Sequence, residues 1–179
     1  MQYKITKIRT DSDILLFPTV ILRETLAHEL EYKNFWYQLN GVLLGDSVSK
    51  FVQKRTTVEH SVVDYADRTT ITPVLITGER LGLDFSKNLA YADILANAYA
   101  QGLQEFPEQF VVNYGTTFFP WNEIGRNIKV MTPPVKRGKR DCIIFMYSYN
   151  PRSIEELVLT RHKFRKNDYF LFIKMETTE

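Results

Sequence analysis

The sequence predicts an α+β fold, a mostly antiparallel sheet with about two helices packed against it, in a single domain over residues 1–179. Three observations carry that expectation. Two stretches repeat apolar residues at helical spacing, about eight others are rich in β-branched and aromatic residues, and the two kinds do not alternate as βαβ units require. With 44% hydrophobic and 25% charged side chains, the 179 residues suffice for one core burying roughly 70% of the unfolded surface.

Residues 2–9 alternate polar and apolar side chains as a short first strand would, and Thr10-Asp11-Ser12-Asp13 then breaks the pattern. Beyond Pro18, Thr19 can cap a helix over 20–32, in which Leu22, Leu26 and Leu30 recur every four residues among Arg23, Glu24, Glu29 and Glu31. Asn40-Gly41 fits either a helix end or the two-residue turn of a hairpin. The flanks Phe35-Trp36-Tyr37-Gln38-Leu39 and Val42-Leu43-Leu44 favour the hairpin. Residues 51–63 and 69–77 read as two strands, with Pro73 interrupting the second or confining it to an edge.

The strongest helical signal covers residues 88–106, where Leu89, Ala92, Leu95, Ala96, Tyr99, Leu103 and Phe106 share one face. Ser86 is placed to cap it and Pro107 to end it. Strands are expected at 109–114, 127–132, 141–149, 156–163 and 169–174, with Ser153 and Glu156 also fitting a capping box for a helical turn. Lys136-Arg137-Gly138-Lys139-Arg140 falls between two of these strands, so a basic hairpin is expected to project near residues 127–149.

No residue pattern specifies a reaction. His28-Glu29 opens like a zinc-binding helix, but Tyr32 stands where the second histidine four residues on should be. An enzyme of unrecognised class would have to bring His60, His162 and a carboxylate together from separate elements. Cys142, the one cysteine, lies in the apolar run Cys142-Ile143-Ile144-Phe145-Met146 and reads as a small buried hydrophobe. The 8 glycines form no phosphate cradle. The pattern leans away from an enzyme, and no cofactor or metal is implied.

A net charge of +2 exerts no global pull on an anionic partner, so attraction must come from local clusters. Lys136, Arg137, Lys139 and Arg140 form one; Arg161, Lys163, Arg165 and Lys166 form another, with Tyr147, Tyr149 and Phe164 as rings that could stack on bases. The bland alternative is a hairpin tip charged for solubility. Aromatic residues make up 13% of the chain, concentrated in Phe35-Trp36-Tyr37, Phe118-Phe119-Pro120-Trp121 and Tyr169-Phe170-Leu171-Phe172, more than a small core needs. Some rings are therefore expected to face a partner.

These features favour a non-enzymatic structural subunit of a larger assembly, such as a viral or phage connector, ring or tail component, with other protein subunits (self or hetero) as partners. Neighbouring subunits are expected to order residues 175–179, which carry no core-forming side chain. A nucleic-acid-binding module is the alternative. Without an apolar leader or a run of about 20 apolar residues, no membrane association is expected, and the expected location is cytoplasmic, or the virion if the chain is viral.

Overall fold

The structure, a computed structural model, describes residues 14–56, 67–149 and 151–174. The strand expected over 2–9, part of that over 51–63, His60 and residues 175–179 lie outside them. Among the described residues there are twelve strands: β1 (Ile14–Leu16), β2 (Val20–Arg23), β3 (Glu31–Lys33), β4 (Trp36–Leu39), β5 (Val42–Leu44), β6 (Arg68–Ile71), β7 (Pro73–Thr77), β8 (Leu103–Gln104), β9 (Ile128–Arg137), β10 (Arg140–Tyr147), β11 (Ser153–Val158) and β12 (Tyr169–Lys174). Three helices accompany them, α1 (Asp46–Thr56), α2 (Tyr91–Ala100) and α3 (Glu108–Asn113). The expectation of a mixed α+β domain holds, with the sheet larger than expected.

Ten strands form one sheet in the order β1-β7-β12-β9-β10-β11-β5-β4-β3, with β8 also paired to β12, while β2 and β6 form a small second sheet. Pairing is antiparallel except for β11 with β5 and β12 with β9. Side chains along β12 alternate between two cores. Leu171 and Ile173 join Leu75, Ile128, Val130, Ile144 and Ile154 beneath α1, α3 and the small sheet. Phe170 and Phe172 join Val74, Ile76, Met131 and Ile143 beneath α2 and Phe164. The central strands are thus covered on both faces, which is why β12 reads as an unbroken apolar run.

Several expectations are corrected. Residues 20–32 are not a helix but β2, a 3-10 turn at Ala27–Glu29 and β3. Leu22, Leu26 and Leu30 are all buried, but only Leu22 lies in a strand while Leu26 and Leu30 flank the 3-10 turn, so the repeat of four spans separate elements rather than one helical face. Glu29 grips this turn, accepting from the Leu26 amide at 2.8 Å and pairing with the Arg23 guanidinium through both oxygens. The strand expected from residue 51 is instead α1, which buries Val48 and Val52 one turn apart. Residues 109–114 form α3 and enter a π-helical turn at Tyr114–Phe118, because an apolar run buried all round suits a helix as well as a strand.

The expected helix over 88–106 contracts to α2, and its inner face is Ile94 and Ala98 rather than Ala92, Ala96 and Tyr99, which are exposed. Ala90, not Ser86, occupies the cap position, with its amide donating to Asp93 at 2.8 Å. Gly102, at φ +73°, ends the helical path so that β8 can pair with β12. Pro73 does interrupt residues 69–77, dividing them between the two sheets, but β7 is flanked on both sides and is not an edge; the proline is tolerated as its first residue. Ser153 opens β11 rather than a helix, and that strand gives way at residue 159 to a 3-10 turn instead of continuing to 163.

Candidate functional site

Two turns illustrate how this chain makes hairpins. The β4–β5 turn uses Asn40-Gly41 with φ of +49° and +76°, the Asn-Gly pair that a type I′ turn favours because both residues must be left-handed. The β3–β4 turn has the same form, with φ of +49° and +71°, but its residues are Asn34-Phe35. A side chain at Phe35 costs about 1–2 kcal/mol in that conformation, and the ring recovers nothing by burial, being 90% exposed.

Around Phe35 the surface is also apolar. Trp36 is 49% exposed, and Tyr32 is exposed and edge-on to Tyr37 at 5.3 Å. Lys33 sits beside them with no carboxylate partner among the described residues. β3 ends the sheet order, so this aromatic tip adjoins an edge strand. Of the three aromatic clusters, this one alone faces solvent as a group. Phe119 and Trp121 are buried, with the Trp121 indole donating to the Gly115 carbonyl at 2.6 Å, and Phe170 and Phe172 fill the core.

The expected basic hairpin is present as β9 and β10, joined by Gly138-Lys139 with Gly138 at φ +64°. Its four cations are not equivalent. Arg137 bonds Glu156 at 2.7 Å and Lys136 approaches Asp141 at 3.6 Å, whereas Lys139 and Arg140 are exposed with no carboxylate partner among the described residues. The second basic cluster does not gather beside the first. The Lys166 carbonyl accepts from the Glu79 amide at 2.8 Å, placing Arg165 and Lys166 where β7 ends and β12 begins, at the opposite end of β9 from its tip. Arg161 follows β11 on the tip side, and Lys163 lies on the crossover between. Phe164 is buried and Tyr147 is half-buried against Phe145 at 4.4 Å, so of the three proposed stacking rings only Tyr149 is well exposed.

The two described histidines, His28 and His162, lie on separate elements, and His60 is outside the described residues. His28 is exposed on its 3-10 turn. His162 is largely covered, edge-on to Phe164 at 5.1 Å and 3.8 Å from Asp168. Asp168 also holds the buried Lys129 ammonium at 2.9 Å and accepts from the Arg165 amide at 2.8 Å. Burial pushes this carboxyl up, but His162, Lys129 and the Arg165 amide together outweigh it and hold it below its usual range. This cluster ties the 162–168 crossover to β9. Its sequence signal was a lone lysine inside the apolar run Ile128-Lys129-Val130-Met131, which demands a buried counter-charge. Cys142 is buried as expected, and burial raises its thiol pKa.

Among the described residues no group of three or more His, Cys, Asp or Glu is placed to hold a metal, and no helix is long and apolar enough to cross a membrane. Comparison with protein-family models, with curated proteins and with solved structures finds no match to this chain.

Proposed function

We propose that this chain is a non-enzymatic subunit that assembles with copies of itself through the β3–β4 tip, as a building block of a ring, connector or tail-like particle. The observation that carries the reading is Phe35, a bulky ring held in a conformation that favours glycine and left almost wholly in water. The chain uses glycine at the equivalent position of the very next hairpin, so local folding does not explain the choice. A partner that covers the ring does. Large rings anchor interfaces because each can bury 150–250 Å² at little cost in side-chain entropy. Light scattering behind a sizing column is the test. The wild-type chain is expected to exceed its 21.0 kDa monomer mass in a concentration-dependent way, and Phe35→Gly is expected to return it to the monomer. A wild-type chain that stays monomeric up to its solubility limit rejects the reading.

A second reading, contact with single-stranded nucleic acid through the β9–β10 tip, is favoured by the exposed and unpaired Lys139 and Arg140. Two such cations support a salt slope no steeper than about −1.4 on single strands, so the affinity is expected to be low. Fluorescence anisotropy with a labelled oligonucleotide decides it: binding that survives in the Lys139→Ser/Arg140→Ser double variant eliminates this tip as the contact.

A further inference from the structure

If the aromatic tip is a plug, the same chain should carry its socket. A groove of about 720 Å³ opens where α2, β8, α3 and β9 meet, lined by Tyr99, Glu105, Pro107, Glu108 and Pro133 among others. Its walls match the tip in apolar character and oppose it in charge. Tyr99 is 44% exposed there, Pro133 is exposed and Pro107 is half-covered, flat apolar surfaces of the kind an aromatic ring packs against. Glu105 accepts from the Tyr99 phenol at 3.2 Å and shares the single Tyr91 phenol hydrogen, at 2.7 Å, with the Thr132 carbonyl at 2.5 Å. No cation pairs with it among the described residues. That negative charge is felt by both phenols: each pKa is raised, chiefly by burial and further by Glu105. The tip supplies the missing partner, an unpaired Lys33 two residues before Phe35.

We infer that the β3–β4 tip of one copy docks in this groove of a second copy, with Phe35 lying against Tyr99, Pro107 and Pro133 and Lys33 pairing with Glu105. The inference rests on the self-assembly reading above and adds the acceptor. A chain cannot fill its own groove: β8 and β9 both lie on the side of β12 away from β7, and five strand spacings separate β9 from β3, about 24 Å at ~4.8 Å each. Plug and socket are different patches on different sides of the molecule. Repeated from copy to copy, such a head-to-tail contact closes a ring or extends a filament.

Charge exchange in the full chain tests the pairing. Lys33→Glu and Glu105→Lys are each expected to weaken self-association about tenfold or more, and the double swap to restore most of it, as complementary charges at an interface do. Because Glu105→Lys also disturbs two phenol hydrogen bonds, a second experiment leaves Glu105 intact. Asn34→Cys protein, which keeps Phe35 and Lys33, is mixed with Gln109→Cys protein, altered elsewhere on the groove wall, under mild oxidation, with the native Cys142 buried in both. A disulfide-linked pair of one of each is the expected product, and it should not form when either new cysteine is absent. An oligomeric wild type with neither charge rescue nor cross-link overturns the groove as acceptor and leaves self-assembly standing. A monomeric wild type removes both. Phe35-dependent binding to neutral lipid vesicles without self-association would also overturn the inference, by making the tip a membrane contact.

Discussion

Phe35 and Lys129 are both placed at a cost, a positive φ at one and a buried charge at the other, and they are compensated differently. At Phe35, replacement by glycine relieves about 1–2 kcal/mol of backbone strain while adding about 0.5–1 kcal/mol of unfolded-state entropy. Phe35→Gly is therefore expected to leave the monomer as stable as before, or more stable by up to about 1.5 kcal/mol, in urea titrations. A loss of more than that would show that the ring packs within its own chain. The reciprocal change, Gly41→Ala, meets no atom within 4 Å but must adopt φ +76°, and should cost about 1 kcal/mol. At Lys129 the counter-charge lies within the fold. Removing it with Asp168→Asn leaves a buried ammonium unpaired and should cost about 3–5 kcal/mol. The same pair makes stability depend on pH. Because the folded Asp168 carboxyl titrates below its ordinary 3.8, the unfolded chain takes up the proton first. The pair's contribution is complete above about pH 5, declines as the pH falls through 3.8, and is gone below the folded value. Acid titration of stability should be shallower over that range in Asp168→Asn than in the wild type.

At the scale of elements, the crossover between β11 and β12 depends on a close approach rather than on regular structure. A Cβ on Gly78 would lie 2.5 Å from the Phe85 ring and 2.9 Å from the Arg165 carbonyl. The second of these is backbone, held by the Gly78 and Glu79 amides donating to the Asp168 and Lys166 carbonyls. Gly78→Ala is expected to cost about 1–3 kcal/mol, read as a lower urea midpoint at unchanged slope. Some elements were legible from residue pattern and others were not, for physical reasons. β12 and the β9–β10 hairpin were legible because β-branched and aromatic runs bounded by Gly or Asp leave one solution. The β4–β5 hairpin followed from Asn40-Gly41. β2 and β3 were hidden by leucines four apart, which imitate a helical face although Leu22 lies in β2 and Leu26 and Leu30 flank the 3-10 turn, and with them went the Asn34-Phe35 turn, whose asparagine six residues before Asn40 was the available clue. α3 was hidden because burial on every side erases periodicity. The groove could not be read at all, since Tyr99, Glu105 and Pro133 come from three elements that only the sheet order brings together.

For the whole molecule, the separation of plug and socket means that interface substitutions should leave the fold intact. Phe35→Gly should change native mass while preserving the far-ultraviolet circular dichroism spectrum. The order of the main sheet has a further consequence. One of its interior strands, β12, comes later in the chain than every strand it joins. During synthesis, β7 and β9 emerge long before it and wait on opposite sides of a vacant slot, each with a bare hydrogen-bonding edge and both apolar faces incomplete. Until residues 169–174 leave the ribosome, the nascent chain holds two half-sheets that cannot close. That interval is when unpaired edges invite chaperones or neighbouring nascent chains. A stalled or truncated product ending before residue 169 should accumulate in the insoluble fraction, while one carrying those six residues should not.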